Sequence, residues 1–145
     1  MTPFPAPARH GAILLIDDDE LIAGSLRQVL QTDGCDVDVA VDPPSAASLM
    51  SRKRYDIVLV DPYLTGGVHR EEGDLIAQIR ALQPGANVVV LTGYGSPDLD
   101  RSASNGGVSA ILTKPQSVVF LSQFLVAASN HAAMTPQPSI KGQPA

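Results

Sequence analysis

Four groups of residues in this chain could do chemistry together: Asp17-Asp18-Asp19, Asp61, Thr92 and Lys114-Pro115. Clustered carboxylates repel one another and raise each other's pKa values. A divalent cation offsets that repulsion, and so does a lysine ammonium. Magnesium favours near-octahedral oxygen ligation, typically from one or two carboxylates completed by waters and a phosphate. Asp17, Asp18 and Asp61 could supply such oxygens, with Lys114 beside them. Phosphoryl transfer is catalysed mainly by positioning and charge stabilisation, and carboxylates can act as nucleophiles toward phosphoryl groups. A metal, a lysine and a threonine hydroxyl would therefore serve a phosphoryl group carried on an aspartate.

These residues are far apart in sequence, so the fold must bring them together. Each follows a short apolar run: Ala12 to Ile16, Ile57 to Val60, Val88 to Leu91, and Ala110 to Leu112. In an open α/β sheet, the carboxyl ends of the strands border one crevice where ligands bind. The rest of the chain fits that architecture. A helix is predicted over Glu20–Thr32, with Ile22, Leu26, Val29 and Leu30 on one face, and Gly34 ends it. Val37, Val39 and Val41 alternate with Asp36, Asp38 and Ala40, the pattern of a half-buried edge strand. Pro43 or Pro44 starts a second helix, ending near Ser51. Tyr55–Val60 reads as the third strand. A third helix over Gly73–Leu82 directs Leu75, Ile76, Ile79 and Leu82 inward and stops at Pro84-Gly85. Asn87–Thr92 and Ala110–Leu112 are the fourth and fifth strands, and a last helix runs from Ser117 to Ser129. Alternating strands and helices argue for a parallel sheet covered on both faces.

The chain has 145 residues, which suits one domain. We expect a disordered N-terminal tail over 1–11, a folded domain over 12–130 and a Pro-rich C-terminal tail over 131–145. The net charge is −5, and the only basic run, Arg52-Lys53-Arg54, reads as a solvated helix end. Nucleic-acid binding is not expected, because neutralising phosphates needs several placed cations. The single cysteine, Cys35, excludes an internal disulfide and a cysteine-based metal site. Neither a secretion signal nor an apolar run of about 18–20 residues is evident, so a soluble, cytoplasmic protein is expected, with no membrane partner.

The chain resembles the receiver domains of two-component response regulators. The resemblance is carried by Ile13-Leu-Leu-Ile-Asp-Asp-Asp-Glu20, Ile57-Val-Leu-Val-Asp61, Val88-Val-Val-Leu-Thr-Gly-Tyr-Gly95 and Gly107-Val-Ser-Ala-Ile-Leu-Thr-Lys-Pro115, in order and correctly spaced. It implies a flavodoxin-like, doubly wound five-stranded parallel sheet, (βα)5. It implies that Asp61 accepts a phosphoryl group from the phosphohistidine of a sensor histidine kinase, in a Mg2+-dependent reaction. Asp17 and Asp18 form the acidic pair at the metal, with Asp18 favoured as the direct ligand, and the backbone carbonyl of Tyr63 is a further ligand. Lys114 pairs with the phosphoryl oxygens, and Thr92 moves its hydroxyl onto them. Gly93, Ile111 and Pro115 fall in the switch region, and the Lys114–Pro115 bond is expected to be cis. Asp19 and Glu20 are read as the acidic start of the first helix.

Three departures from the family pattern concern the readout. Ile111 stands where the family usually has a switching Tyr or Phe, and reads as a core strand residue. The loop from Pro62 to Gly73 is about four residues longer than usual; Pro62 lacks a donor, Tyr63 and Tyr94 are expected to flank the pocket, and His69 to face solvent. The helix between the fourth and fifth strands, Pro97 to Asn105, has few apolar residues and is expected to be short or mobile. The last helix is instead apolar nearly all round. Val118, Leu121, Phe124 and Leu125 can face the sheet, leaving Val119, Phe120 and Val126 for other contacts. This predicts a homodimer through the last helix. The resemblance further implies a kinase-facing surface with Leu21, Ile22, Gly24, Ser25 and the loop after Lys114. The leading reading is a single-domain response regulator signalling by phosphorelay or by binding a downstream phosphotransfer or effector protein, catalysing only its own phosphoryl transfer and dephosphorylation. The alternative is a receiver-like interaction module with little use of phosphorylation. A phosphatase with an aspartyl-phosphate intermediate is disfavoured, since Tyr63 stands where a second acid is usual, two residues after Asp61.

Overall fold

Apolar β-branched runs form strands, and the amphipathic stretches between them form the helices that cover them. The computed structural model of the chain describes residues 11–61, 72–93 and 108–134, without the side chains of 72–74 and 130–134. In chain order the elements are β1 (Ala12–Ile16), α1 (Glu20–Thr32), β2 (Asp36–Ala40), α2 (Pro43–Met50), β3 (Ile57–Val60), α3 (Glu72–Leu82), β4 (Asn87–Thr92), β5 (Ala110–Thr113) and α4 (Val118–Met134). The strands form one parallel five-stranded sheet in the order β2-β1-β3-β4-β5. The chain moves outward from β1 to β2, then crosses to β3 on the other side. That reversal is a topological switch point, where α/β sheets open a crevice at their carboxyl edge.

Alternation along the strands divides the core into two layers. Ile13, Leu15, Ile57, Leu59, Val89 and Leu91 point to one face, where they meet Leu26 and Leu30 of α1 and Leu121 and Leu125 of α4. Leu14, Ile16, Val58, Val60, Val88 and Val90 point to the other, against Ala46 and Met50 of α2 and Leu75, Ile76 and Ile79 of α3. Both faces are covered, so interior strands must be apolar on both sides. This accounts for the unbroken runs in β1, β3 and β4. β2 is the expected edge strand, although Ala40 is buried and Val41 lies exposed beyond its end; its carboxylates Asp36 and Asp38 are both held by the Lys53 ammonium, at 2.8 and 2.9 Å. The entry to β1 is tight: Gly11 has φ +84°, and a Cβ there would collide with the Asp56 carboxylate and the Ser129 hydroxyl.

Several details differ from the sequence-based expectation. Leu82 was expected inward but is exposed, and the buried position one residue later belongs to Gln83. The Gln83 amide is fully used: its Oε1 accepts from the Tyr55 N–H, and its Nε2 donates to the carbonyls of Met50 and Lys53. That network turns Tyr55 out of the strand, so β3 starts at Ile57. In α1, Ala23 is buried with Leu26 and Leu30, while Ile22 and Val29 lie at the margin of the face. The last helix continues to Met134 instead of ending at Ser129, so 131–134 are helical rather than tail. Ala132, Ala133 and Met134 are good helix formers. Of the other expectations, Pro62, Tyr63, His69, Tyr94, the Pro97-to-Asn105 helix and the rest of both tails lie outside the described residues.

Candidate functional site

The register of the sheet builds the site. Ile16 of β1 lies beside Val60 of β3, so Asp17 and Asp61 leave neighbouring strands at the same height. Both stay in the ladder for one more bond: the Asp17 N–H donates to Ala40 O and the Asp61 N–H to Ile16 O, each at 3.0 Å. On the far side, Thr92 of β4 pairs with Thr113 of β5, and the Lys114 N–H donates to Thr92 O at 2.9 Å. Four strand ends thus fix the backbones from which these side chains project.

The side chains meet. Lys114 Nζ donates to Asp61 Oδ2 at 2.7 Å and lies 4.0 Å from Asp17 Oδ2. Carboxylate oxygens of Asp17, Asp18 and Asp61 all fall within 4.8 Å of one another. Asp17 and Asp61 are buried, Asp18 and Lys114 are partly exposed, and Thr92 is completely buried. The cluster therefore opens to solvent at one side over a closed floor. Burial pushes the Asp17 carboxyl above its ordinary range, although the Asp19 N–H and the Lys114 charge work against the shift. Burial alone would lower the Lys114 pKa, but its hydrogen bond to Asp61 and the charge of Asp17 outweigh that, and the net shift is upward. Lys114 is accordingly a fixed cation at neutral pH.

Among the described residues, three carboxylates stand against the Lys114 ammonium, which concentrates negative charge. The donor set is entirely hard oxygen at short mutual separation, which fits a Mg2+-sized cation and does not suit a soft metal. The arrangement can hold a divalent cation, present one carboxylate as a nucleophile and supply a lysine to an incoming anion.

The remaining residues singled out in the sequence fall as follows. Asp19 is the N-cap of α1, accepting from the Ile22 N–H, and Glu20 lies in the first turn. The Lys114–Pro115 peptide is cis. Gly93 follows Thr92 at the end of β4, with nothing among the described residues within 4 Å of where a Cβ would sit. Ile111 lies beside Val90 and packs, half-buried, against the layer under α2 and α3. Two features escaped the sequence reading. One is the bond from the Asp19 N–H to Asp17 Oδ1, at 2.9 Å, which has no signature beyond adjacency. The other is Gln83, which helical spacing from Ile79 could have revealed.

Residues 13–125 match the family described as Response regulator receiver domain. The chain belongs to this family. Among curated relatives, the receiver is 32% identical over 110 residues to the alginate biosynthesis transcriptional regulatory protein AlgB of Pseudomonas aeruginosa, covering 75% of this chain and 24% of that protein. It is 31% identical over 107 residues to a response regulator receiver protein of Anaeromyxobacter sp., covering 72% of this chain and 43% of that protein. The receiver thus spans less than half the length of these relatives. Among solved structures, it superposes on a CheY-like receiver domain from Methanospirillum hungatei with a TM-score of 0.74 at 24% identity, covering 84% of this chain and 95% of that one. A response regulator from Burkholderia pseudomallei, solved with a phosphorylated aspartic acid, calcium ion and citrate, gives 0.69 at 32% identity, covering 84% of this chain and 68% of that one. Among the described residues, no helix of the receiver is long and apolar enough to cross a membrane.

Proposed function

We propose that this receiver accepts a phosphoryl group on Asp61 from the phosphohistidine of a sensor histidine kinase, and signals by relay or by binding a partner. The observation that carries the reading is the Asp61 carboxylate, buried at a strand end, bonded to Lys114 at 2.7 Å and grouped with Asp17 and Asp18. A carboxylate oxygen of Asp61 attacks phosphorus, the P–N bond to the imidazole breaks, and the product is an acyl phosphate. Lys114 stays protonated and transfers a hydrogen bond to the phosphoryl oxygens, and Thr92 contributes its hydroxyl. Asp17, Asp18 and Asp61, with the Tyr63 carbonyl, would hold Mg2+. When bound, the ion offsets the charge of the carboxylates and of the phosphoryl oxygens. The phosphorylated aspartic acid and calcium ion of the Burkholderia pseudomallei relative support this chemistry for the family site. The receiver acts in this reading as a signalling protein in the cytoplasm, catalysing only its own phosphorylation and dephosphorylation.

Self-association through α4 belongs to the same reading. Val119 and Phe120 are 63% and 41% exposed, and Phe120 stacks on Phe124 with ring centroids 6.1 Å apart. Sedimentation should detect a dimer that Phe120→Glu dissolves; a monomer at high concentration, phosphorylated or not, would remove this element. A second reading, a receiver-like interaction module that makes little use of phosphorylation, is favoured slightly by Pro62 and by Ile111, an aliphatic residue half-buried against the core. Incubation with Mg2+ and acetyl phosphate separates the two. One phosphoryl mass on Asp61 supports the first reading, and none supports the second.

A further inference from the structure

Asp19 is tied to its surroundings by every polar group it has. Its N–H donates to Asp17 Oδ1 at 2.9 Å. Its carbonyl accepts the first bond of α1, from the Ala23 N–H at 3.0 Å, and its carboxylate accepts from the Ile22 N–H at 3.3 Å. An N-cap residue takes a non-helical conformation while satisfying donors of the first turn, and Asp19 does so at φ −84° and ψ 93°. Its orientation is therefore set by α1. The same peptide then fixes one carboxylate oxygen of Asp17 and leaves the other, Oδ2, toward Lys114.

We infer that Asp19 is a positioning residue for the acidic site. Through its cap it locks the peptide that holds the Asp17 carboxylate, so that divalent-cation affinity depends on the start of α1. The inference rests on the Mg2+ reading above. It goes beyond charge, because Asp19 is exposed and acts through its hydrogen bonds. Asp42 provides an internal comparison. It caps α2 in the same manner, accepting from the Ser45 N–H at 2.8 Å and the Ala46 N–H at 3.1 Å, and those bonds stay within its own helix.

The test is Mn2+ binding to the folded chain, read from the loss of the free-ion electron paramagnetic resonance signal, alongside thermal melting. Asp19→Ala should weaken binding roughly 3- to 10-fold, at or below the low end of what outer-shell partners usually contribute. Asp19→Asn keeps the cap without the charge and should restore binding. Asp42→Ala should lower the melting temperature without changing the affinity. Should Asp19→Ala fail to fold, Asp19→Gly removes the same acceptor at only a small cost in helix stability and is read in its place. Equal weakening in Asp19→Asn and Asp19→Ala would overturn the inference in favour of charge. Unaltered affinity in Asp19→Ala would overturn it outright. Absence of Mn2+ and Mg2+ binding by the unaltered chain would instead strike the metal reading itself, on which the inference stands.

Discussion

At the carboxyl ends of the strands, among the described residues, Asp17, Asp18 and Asp61 crowd around the ammonium of Lys114. At the amino ends, Gln83 satisfies Tyr55, Met50 and Lys53 with one amide, and Lys53 is divided between Asp36 and Asp38 while the Tyr55 hydroxyl donates to Asp38 at 2.7 Å. Both regions gather polar side chains on the same scaffold. In the second, donors and acceptors match, and burying them costs little because each finds a partner. In the first, like charges are held together by backbone that the sheet has already fixed. Among the described residues, the first end carries the excess negative charge that a cation would offset, and the second is satisfied from within the chain.

The largest expected effect breaks the comparison on the charged side. Asp61→Asn should abolish phosphoryl incorporation from acetyl phosphate, measured by intact mass, while circular dichroism stays unchanged. Labelling that persists at another residue would refute Asp61 as the acceptor. Next comes the balanced side. Gln83→Ala strands buried groups, each costing about 1–3 kcal/mol when unsatisfied, so urea denaturation should show a loss of roughly 3 kcal/mol with Mg2+ affinity preserved. A loss of affinity would mean that the two ends are coupled.

Mg2+ should stabilise the unaltered chain by about 2.7 kcal/mol at a concentration 100 times its Kd. Asp17→Asn should remove most of that gain, as read by melting temperature with and without the ion. The smallest effect is on pH dependence. Burial works to raise the Asp38 carboxyl, but hydrogen bonds from Lys53 and Tyr55 outweigh it and the pKa is lowered. The stabilisation from ionised Asp38 is thus present above its unfolded pKa, near 3.9, and is lost as pH falls through its folded pKa. The raised Asp17 pKa has the opposite sign: its contribution is fullest below the unfolded pKa and is lost as pH rises through the folded one. Asp38→Asn should flatten the acid limb of the stability curve by less than about 1 kcal/mol, because the pair is partly solvated.

Much of this was legible in the chain. Strand ends marked by Asp17, Asp61, Thr92 and Lys114 were readable because parallel strands covered on both faces must be apolar throughout, so the polar residue that ends each run stands out. Edge strand β2 was readable from its alternation. The reading failed where packing chose between neighbours. At the end of α3, Leu82 and Gln83 are both close to the inward direction, and the polar residue was buried because three backbone groups there needed partners. The end of α4 was set too early because a Pro-rich tail obscured the good helix formers before it.

By itself, the sequence determined the order of the elements, the residues at each strand end and the chemical types available to the site. Local propensity and hydrophobic period act over a few residues and are written in the order of the chain. Tertiary structure alone decided that Ile16 lies beside Val60 and Thr92 beside Thr113, which brings Lys114 to 2.7 Å from Asp61 across 53 residues of sequence. It alone placed the Asp19 peptide on Asp17. Such distances follow from sheet register and helix docking, which minimise the energy of the whole core and are not encoded at any single position.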